Sequence, residues 1–235
     1  MRRQALAAAR LTVLSAIVAA GGPAAAQVLV QQADNPRAES WQAEAVLRNS
    51  FIRSRGYDPF SGSDVLLQIS QATEHVFVRQ GGFAFAAGGA VDYGASAADA
   101  RNASADFGIW RLAAVAEGRY YRWDRAYAFA RLAPGMLRGS AELSDPSSPN
   151  GTPLTDHFDV LSVDASLGAA LRLSGPANPV AVWLTGAGGY GWAGSHHLLL
   201  APEAARRDQA KLAPVDLGTI DPRGAFFRLA VAITY

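Results

Sequence analysis

A period-two alternation of side chains dominates the sequence from Ser40 to Tyr235. In eight segments, apolar side chains occupy every second position, and small or polar side chains occupy the positions between them. Because successive side chains of a β-strand point to opposite faces, this pattern predicts strands with one apolar face. After residue 26, no run of about 20 apolar residues remains that could form a transmembrane helix. The sequence therefore predicts an all-β chain whose apolar surface is spread over alternating strands.

The alternating segments cover residues 40–51, 64–78, 83–93, 109–121, 125–143, 159–173, 179–194 and 224–235. The first segment is also compatible with a helix capped near Asn35 and Pro36, since its alanines and glutamates favour one. We favour the strand because the alternation is sustained. The fifth segment changes phase near Pro134 and Gly135, where we expect a β-bulge because proline cannot donate a ladder hydrogen bond.

The connections between these segments alternate in length. Long connections cover residues 53–63, 94–106, 144–157 and 195–223, and short ones cover 79–81, 122–124 and 174–178. This parity predicts an eight-stranded antiparallel up-and-down transmembrane β-barrel, with all four loops at one end. The interior of an eight-stranded barrel is just wide enough to be filled by side chains.

The N-terminus has the pattern of a secretory signal peptide. Arg2, Arg3 and Arg10 precede and flank an apolar stretch at 11–20, and Ala24 to Ala26 offer a small-residue cleavage site. We expect Sec-dependent export and cleavage after Ala26. Residues 27–39 would then form a short periplasmic segment, and residues 40–235 the barrel.

Composition excludes several classes of function. The chain has no cysteine, so disulfides, thiolate catalysis and cysteine-ligated metals are ruled out. Without the three arginines of the leader, 18 basic residues face 20 acidic ones, which leaves no electrostatic footprint for nucleic acid. We expect no cofactor and no metal, because the adjacent pair His196 and His197 is not accompanied by a second ligand cluster.

The last segment, "FRLAVAITY", resembles the terminal strand of bacterial outer-membrane barrels, which ends in an aromatic residue and is recognised by the barrel-assembly machinery. The residues of this assembly signal are Phe227, Leu229, Val231, Ile233 and Tyr235. From about Trp41 onward, the chain resembles the small eight-stranded outer-membrane barrels, a group that includes the transmembrane domain of outer membrane protein A. The resemblance implies outer-membrane lipid and the assembly machinery as partners. It identifies no extracellular partner.

The alternation also assigns residues to the two faces of the barrel. An outward aromatic girdle is expected at Trp41, Trp110, Tyr120, Tyr190 and Trp192. A polar network in the lumen is expected from Glu44, Arg48, Asp92, Arg111, Glu117, Arg119, Asp164, Arg172 and Arg228. Because unpaired charges in a narrow lumen are costly, we expect ion pairs that fill the barrel.

These features favour a non-enzymatic barrel with a filled lumen and a structural, adhesive or loop-binding role. A small gated pore is one alternative, and a lipid-modifying acyl hydrolase or transferase on the same barrel is another. Catalysis would need a serine and a base, for which Ser195 beside His196, and His157 between Asp156 and Asp159, are the candidates. A secreted soluble barrel that binds an apolar ligand inside is a third alternative, and the arginines opposite the apolar faces argue against it.

Overall fold

The computed structural model describes residues 41–100, 103–144, 153–175, 178, 180–202 and 213–235. The expected signal peptide, the segment 27–39 and residue 40 lie outside the described residues. The strands are β1 (Trp41–Phe51), β2 (Val65–Gln80), β3 (Phe83–Ala100), β4 (Ala103–Trp123), β5 (Ala126–Ser144), β6 (Leu154–Arg172), β7 (Ala181–Ala193), β8 (His196–Pro202), β9 (Val215–Ile220) and β10 (Gly224–Thr234), with a short 3-10 helix at Asp58–Phe60. Among these residues, there is no helix with the length and apolar character needed to cross a membrane.

Eight of the strands form a closed antiparallel ring. Strands β1 to β7 pair in chain order, and β10 pairs with both β7 and β1. Trp41 and Tyr235 complete the seam, since the N–H of each donates to the carbonyl of the other at 3.0 Å. The prediction of an all-β, eight-stranded antiparallel up-and-down barrel is confirmed, and the first segment is a strand.

The pairing register fixes the shape of the barrel. A path along cross-strand partners passes through Trp41, His75, Ala87, Ala116, Leu132, Ala165, Tyr190 and Ala225. Since the next residue, Phe226, pairs with Ser50, the path returns to β1 beside Phe51, ten residues beyond its start. A ten-residue offset over eight strands gives a strand tilt of about 40°, from ~3.3 Å per residue and ~4.8 Å between strands.

The two ends of the barrel differ. The turn end holds Trp41, Tyr235 and the tight connections, such as the β2–β3 turn in which Gly81 adopts a φ of +61°. Glycine suits this position because a positive φ is strained for other residues. The loop end holds the connection after β1 and the β8–β9 hairpin, which pairs with the end of β6 through Leu154 and Pro202.

The described parts of two predicted long loops are strand, which corrects the expected connections. Strands β3 and β4 remain paired from Gly94 opposite Ile109 to Ala100 opposite Ala103. Likewise, β5 and β6 remain paired to Leu143. The connection 195–223 contains the β8–β9 hairpin. The described part of the loop end therefore contains much β-structure, because alternation continues there with the apolar residues turned inward.

The expected bulge at Pro134 and Gly135 is wrong. The register of β5 against β4 and β6 is the same on both sides of Pro134. The apparent change of phase arises because Tyr127 and Phe129 point inward, where both are buried, while Met136 points outward. Irregular pairing occurs instead near Phe77 in β2 and near Arg122 in β4.

Candidate functional site

The outer wall of the ring is an apolar belt. Its exposed apolar side chains come from all eight strands and include the predicted girdle residues Trp41, Trp110, Tyr120, Tyr190 and Trp192. Trp41 and Tyr120 lie toward the turn end, whereas the other three lie toward the loop end. The outward side chains of the final strand, Phe227, Leu229, Val231 and Ile233, belong to the same belt. Such a surface is suited to lipid, because in water it would expose apolar area on every strand.

Inside the ring, six charged side chains form a turn-side charge cluster. Its members are Glu44, Glu74, Glu117, Arg119, Arg131 and Arg228. They come from strands β1, β2, β4, β5 and β10, so the cluster joins most of the circumference. All six are buried or nearly so, and three carboxylates face three guanidinium groups. The cluster therefore has no net charge.

Arg131 is the hub of this cluster. Its Nε donates to Glu117 at 2.6 Å, its Nη1 to Glu44 at 2.9 Å and its Nη2 to Glu74 at 2.5 Å. Arg119 also binds two of these carboxylates, Glu117 at 2.7 Å and Glu74 at 2.8 Å. Planar guanidinium groups can bind several carboxylates at once, which makes such a network rigid.

A second group of charges, the loop-side charge cluster, lies nearer the loop end. It comprises Arg48, Asp92, Arg111 and Asp164. Arg111 contacts Asp92 through Nε and Asp164 through Nη1, both at 2.6 Å, and Arg48 pairs with Asp164. Two arginines face two aspartates, so this cluster is also neutral. Across the two clusters, five cations are balanced by five anions.

The structure brings together eight of the nine residues predicted for the lumen network. Arg172 lies apart from both clusters at the turn end, where it donates to Ser174 and the Asn178 carbonyl and stacks over Trp183. Glu74 and Arg131 belong to the network but were absent from the predicted set. Glu74 shares the inward parity of Gln68, so extending the alternation along β2 would have found it. Arg131 was hidden by the phase change wrongly expected in its strand.

At the loop end, the interior is filled by an apolar cap. Its buried side chains are Ile52, Tyr57, Phe60, Leu66, Ala105, Phe107, Ile109, Leu137, Ala141, Phe158, Leu198, Leu200 and Ile220. The connection after β1 enters the barrel mouth, because Phe60 packs against Phe107 at a ring distance of 5.6 Å. Gly139 makes room for the cap, since a Cβ there would lie 2.1 Å from the Phe158 ring.

The polarity of the two faces inverts between the belt and the cap. Along β4, the inward residues change from Arg111 to Ile109 and Phe107 toward the loop end, while the outward residues change from Trp110 to Asp106. Strand β5 makes the same change, from Arg131 inward in the belt to Leu137 inward in the cap. The ring is therefore apolar outside within the belt, and apolar inside beyond it.

The candidate catalytic residues His157 and His196 lie at the loop end, whereas His75 lies edge-on to Trp41 on the outer wall. The His196 Nε2 lies 3.1 Å from Asp156, and its ring stacks on Phe158. His157 is exposed. Among the described residues, no serine hydroxyl, including that of Ser195, hydrogen-bonds to a histidine ring. Nor does the described part of the chain contain a group of three acidic or histidine side chains that could hold a metal.

Comparisons with known proteins link the chain to others through structure alone. No protein-family model matches the sequence, and no curated protein does. A major outer membrane protein from Thermus thermophilus superposes with a TM-score of 0.54 and 12% identity, over 85% of this chain and 100% of that one. Neisserial surface protein A has a TM-score of 0.48 and 13% identity, over 83% of this chain and 96% of that one. The attachment invasion locus protein of Yersinia pestis has a TM-score of 0.40 and 9% identity, over 84% of this chain and 98% of that one. The chain has the fold of the small eight-stranded outer-membrane β-barrels.

Proposed function

We propose that the protein is a closed barrel of the bacterial outer membrane, which carries a compact β-structured surface outside the cell for contact with other molecules. The apolar belt supports the membrane location, because its outward side chains match a lipid environment. The expected signal peptide supports export. We place the turn end in the periplasm and the loop end outside the cell, because bacterial outer-membrane barrels have short periplasmic turns and longer extracellular loops.

The observation that carries the proposal is the filled interior. The two neutral charge clusters cross the lumen within the belt, and the apolar cap fills the interior above them. The interior cavities beside the loop-side charge cluster have volumes of about 30 and 20 Å³. Cavities of this size hold isolated water molecules rather than a continuous column. Conduction would require several ion pairs to break together, so a resting barrel without conductance is favoured over a gated pore.

The surface that is free for binding is the polar outer face of the loop end. It presents Asp106, Glu142 and His157 from three neighbouring strands, all supported from behind by the apolar cap. A rigid support of this kind lowers the entropy cost of binding. We propose an extracellular binding or adhesive role for this face. Outer-membrane lipid would contact the belt, and the assembly machinery would recognise the terminal strand.

We also propose that the protein is not an enzyme. The His196–Asp156 pair resembles the base and orienting acid of a hydrolase, but a catalytic site of that type also needs a nucleophile within about 3 Å of the base. The described contacts of His196 are to Asp156 and to the Phe158 ring. This arrangement is accounted for by attachment of the β8–β9 hairpin to β6.

Conductance in planar bilayers tests the closed barrel. The wild-type protein should give no steady current, whereas Glu117→Ala, which removes one of the two carboxylates shared by Arg119 and Arg131, should give a small one. A wild-type barrel that conducts steadily would replace this proposal with the pore.

Orientation is tested by labelling single cysteines, because the natural chain contains none. His157→Cys at the loop end and Asp124→Cys at the turn end are both exposed positions. In intact cells, a membrane-impermeant maleimide should label the first and not the second. The reverse result would place the loop end in the periplasm.

A further inference from the structure

We propose that Arg53 and Arg223 form a binding site for the phosphate of a lipid headgroup in the outer leaflet, where β1 meets β10. The inference rests on the proposed outer-membrane orientation with the loop end outward. It adds a specific lipid contact to a barrel whose belt otherwise contacts only acyl chains.

Arg53 and Arg223 lie on neighbouring chain segments, just after β1 and just before β10. Pairing of the two strands reaches Ser50 and Phe226, and hydrogen bonds from Ser54 to the segment before β10 keep the two segments in contact beyond it. Along both segments every second residue points outward, and Arg53 and Arg223 occupy outward positions. Ile52, beside Arg53, is buried inside, whereas Arg53 itself is exposed, and the Arg223 side chain is 62% exposed. Two guanidinium groups on adjacent chain segments can therefore approach one anion from the same side.

The local structure holds Arg223 in place without occupying all of its donors. Its Nε pairs with Asp221 at 2.5 Å, and no described group pairs with its two Nη atoms. The segment is fixed by Ser54, whose hydroxyl accepts from the Asp221 N–H at 3.0 Å and donates to the Thr219 carbonyl at 2.8 Å. The forked end of the guanidinium remains available for a phosphate, which arginine binds through two parallel hydrogen bonds.

The site lies at the upper edge of the belt. Gly191 pairs with Gly224, and Trp192 and Arg223 are the next residues along the two chain segments. Phe51 precedes Arg53 on the same outward face and is 43% exposed. Tryptophan side chains prefer the headgroup level of a membrane, which places the two arginines at the depth of lipid phosphates. An exposed cation near an anionic membrane surface contributes about 1 kcal/mol of binding, or roughly fivefold in affinity.

Arg138 provides a matched control on another part of the wall. It also points outward just beyond the belt, next to Trp110. Its Nε and Nη2 are both bound to Asp159, at 2.7 and 2.8 Å. A guanidinium engaged on both atoms by one carboxylate has little remaining capacity for phosphate, so Arg138 should contribute much less to lipid binding.

The test is native mass spectrometry of the full chain in detergent, titrated with lipid A, with dephosphorylated lipid A, or with lipid A in the presence of inorganic phosphate. The wild type should retain lipid A. Arg53→Gln and Arg223→Gln should each weaken this retention about fivefold, and Arg138→Gln should leave it unchanged. Arg53→Lys should give an intermediate affinity, because it keeps the charge but loses the planar fork. Heat-modifiable migration on a gel confirms that each variant is folded.

Equal retention of dephosphorylated lipid A would overturn the proposal, because contact of the acyl chains with the apolar belt would then be enough to hold the lipid. Unchanged retention by both glutamine variants would overturn it as well. Complete competition by inorganic phosphate would assign the arginines to a free anion instead of a lipid. These outcomes are independent of conductance, so a conducting barrel would refute the closed-barrel function without affecting the lipid result.

Discussion

Removal of the Arg131 guanidinium is the sharpest test of the interior network. Arg131 is 6% exposed and binds the three carboxylates of the turn-side charge cluster. In Arg131→Met, the hydrophobic side chain fills much of the same volume, but three glutamates then face only Arg119 and Arg228. The variant leaves an uncompensated negative charge within the barrel.

The expected cost follows from the three contacts that are lost. A hydrogen bond to a charged group contributes at least about 1.5 kcal/mol, so three give about 4.5 kcal/mol. Breaking a buried ion pair by removing one partner costs about 3–5 kcal/mol, which agrees. We therefore expect Arg131→Met to lower the free energy of unfolding by about 4 kcal/mol. Adding Glu117→Gln removes one negative charge and restores the balance, so the double variant should cost about 1–3 kcal/mol less than the sum of the single changes.

Urea unfolding of the barrel in phospholipid vesicles, followed by tryptophan fluorescence, measures these values. Arg138→Met is the control, because it removes an arginine from the same strand on the exposed outer wall. Its effect should be small, since solvent screens an exposed pair. The reasoning is refuted if Arg131→Met destabilises no more than the control. It is also refuted if the two changes at Arg131 and Glu117 are strictly additive.

Three other outcomes are expected. Leu229→Arg on the belt should lower the free energy of unfolding in lipid by about 2–4 kcal/mol, while Ala230→Ser on the inner face is nearly neutral; equal effects would contradict the assignment of faces. Deletion of Tyr235 should reduce outer-membrane levels in cells far more than refolding in detergent, and normal levels would refute the assembly-signal role. In the β8–β9 hairpin, the Gly218 N–H holds the pKa of Asp216 below its usual 3.8. The hairpin should keep this stabilisation above the usual carboxyl range and lose it as the pH falls through the lowered value, which amide exchange at Gly218 would measure.

Sequence alternation predicted the ring because the two faces of each strand meet different surroundings. All eight predicted segments contribute a strand to the closed sheet, and the five predicted girdle residues point outward. Lipid outside and polar side chains inside impose the same period-two pattern on every strand. This pattern is local, so it can be read without knowledge of which strands pair.

The identity of the charge partners could not be predicted in the same way. Arg131 binds Glu117, its direct partner 14 positions away in the β4–β5 hairpin, and it also binds Glu44 and Glu74 across the closed ring, 87 and 57 positions away. Parity alone assigns a charge to the lumen but does not determine its depth. Parity itself failed in β5, because Tyr127 and Phe129 fill the lumen beside Trp183 and imitate an outward apolar face.

The loop end was misread for a different physical reason. Its strands alternate like those of the belt, but water lies outside them, and their apolar side chains must point inward to be buried. In β4, the apolar face therefore switches sides between Ile109, which is inward, and Trp110, which is outward. A switch of this kind gives two consecutive large apolar residues within an otherwise alternating strand. Leu137 and Met136 in β5, and Leu66 and Leu67 in β2, form the same pair. These adjacent pairs mark the depth at which lipid gives way to water around the barrel, and they are visible in the sequence once a change of solvent along one strand is considered.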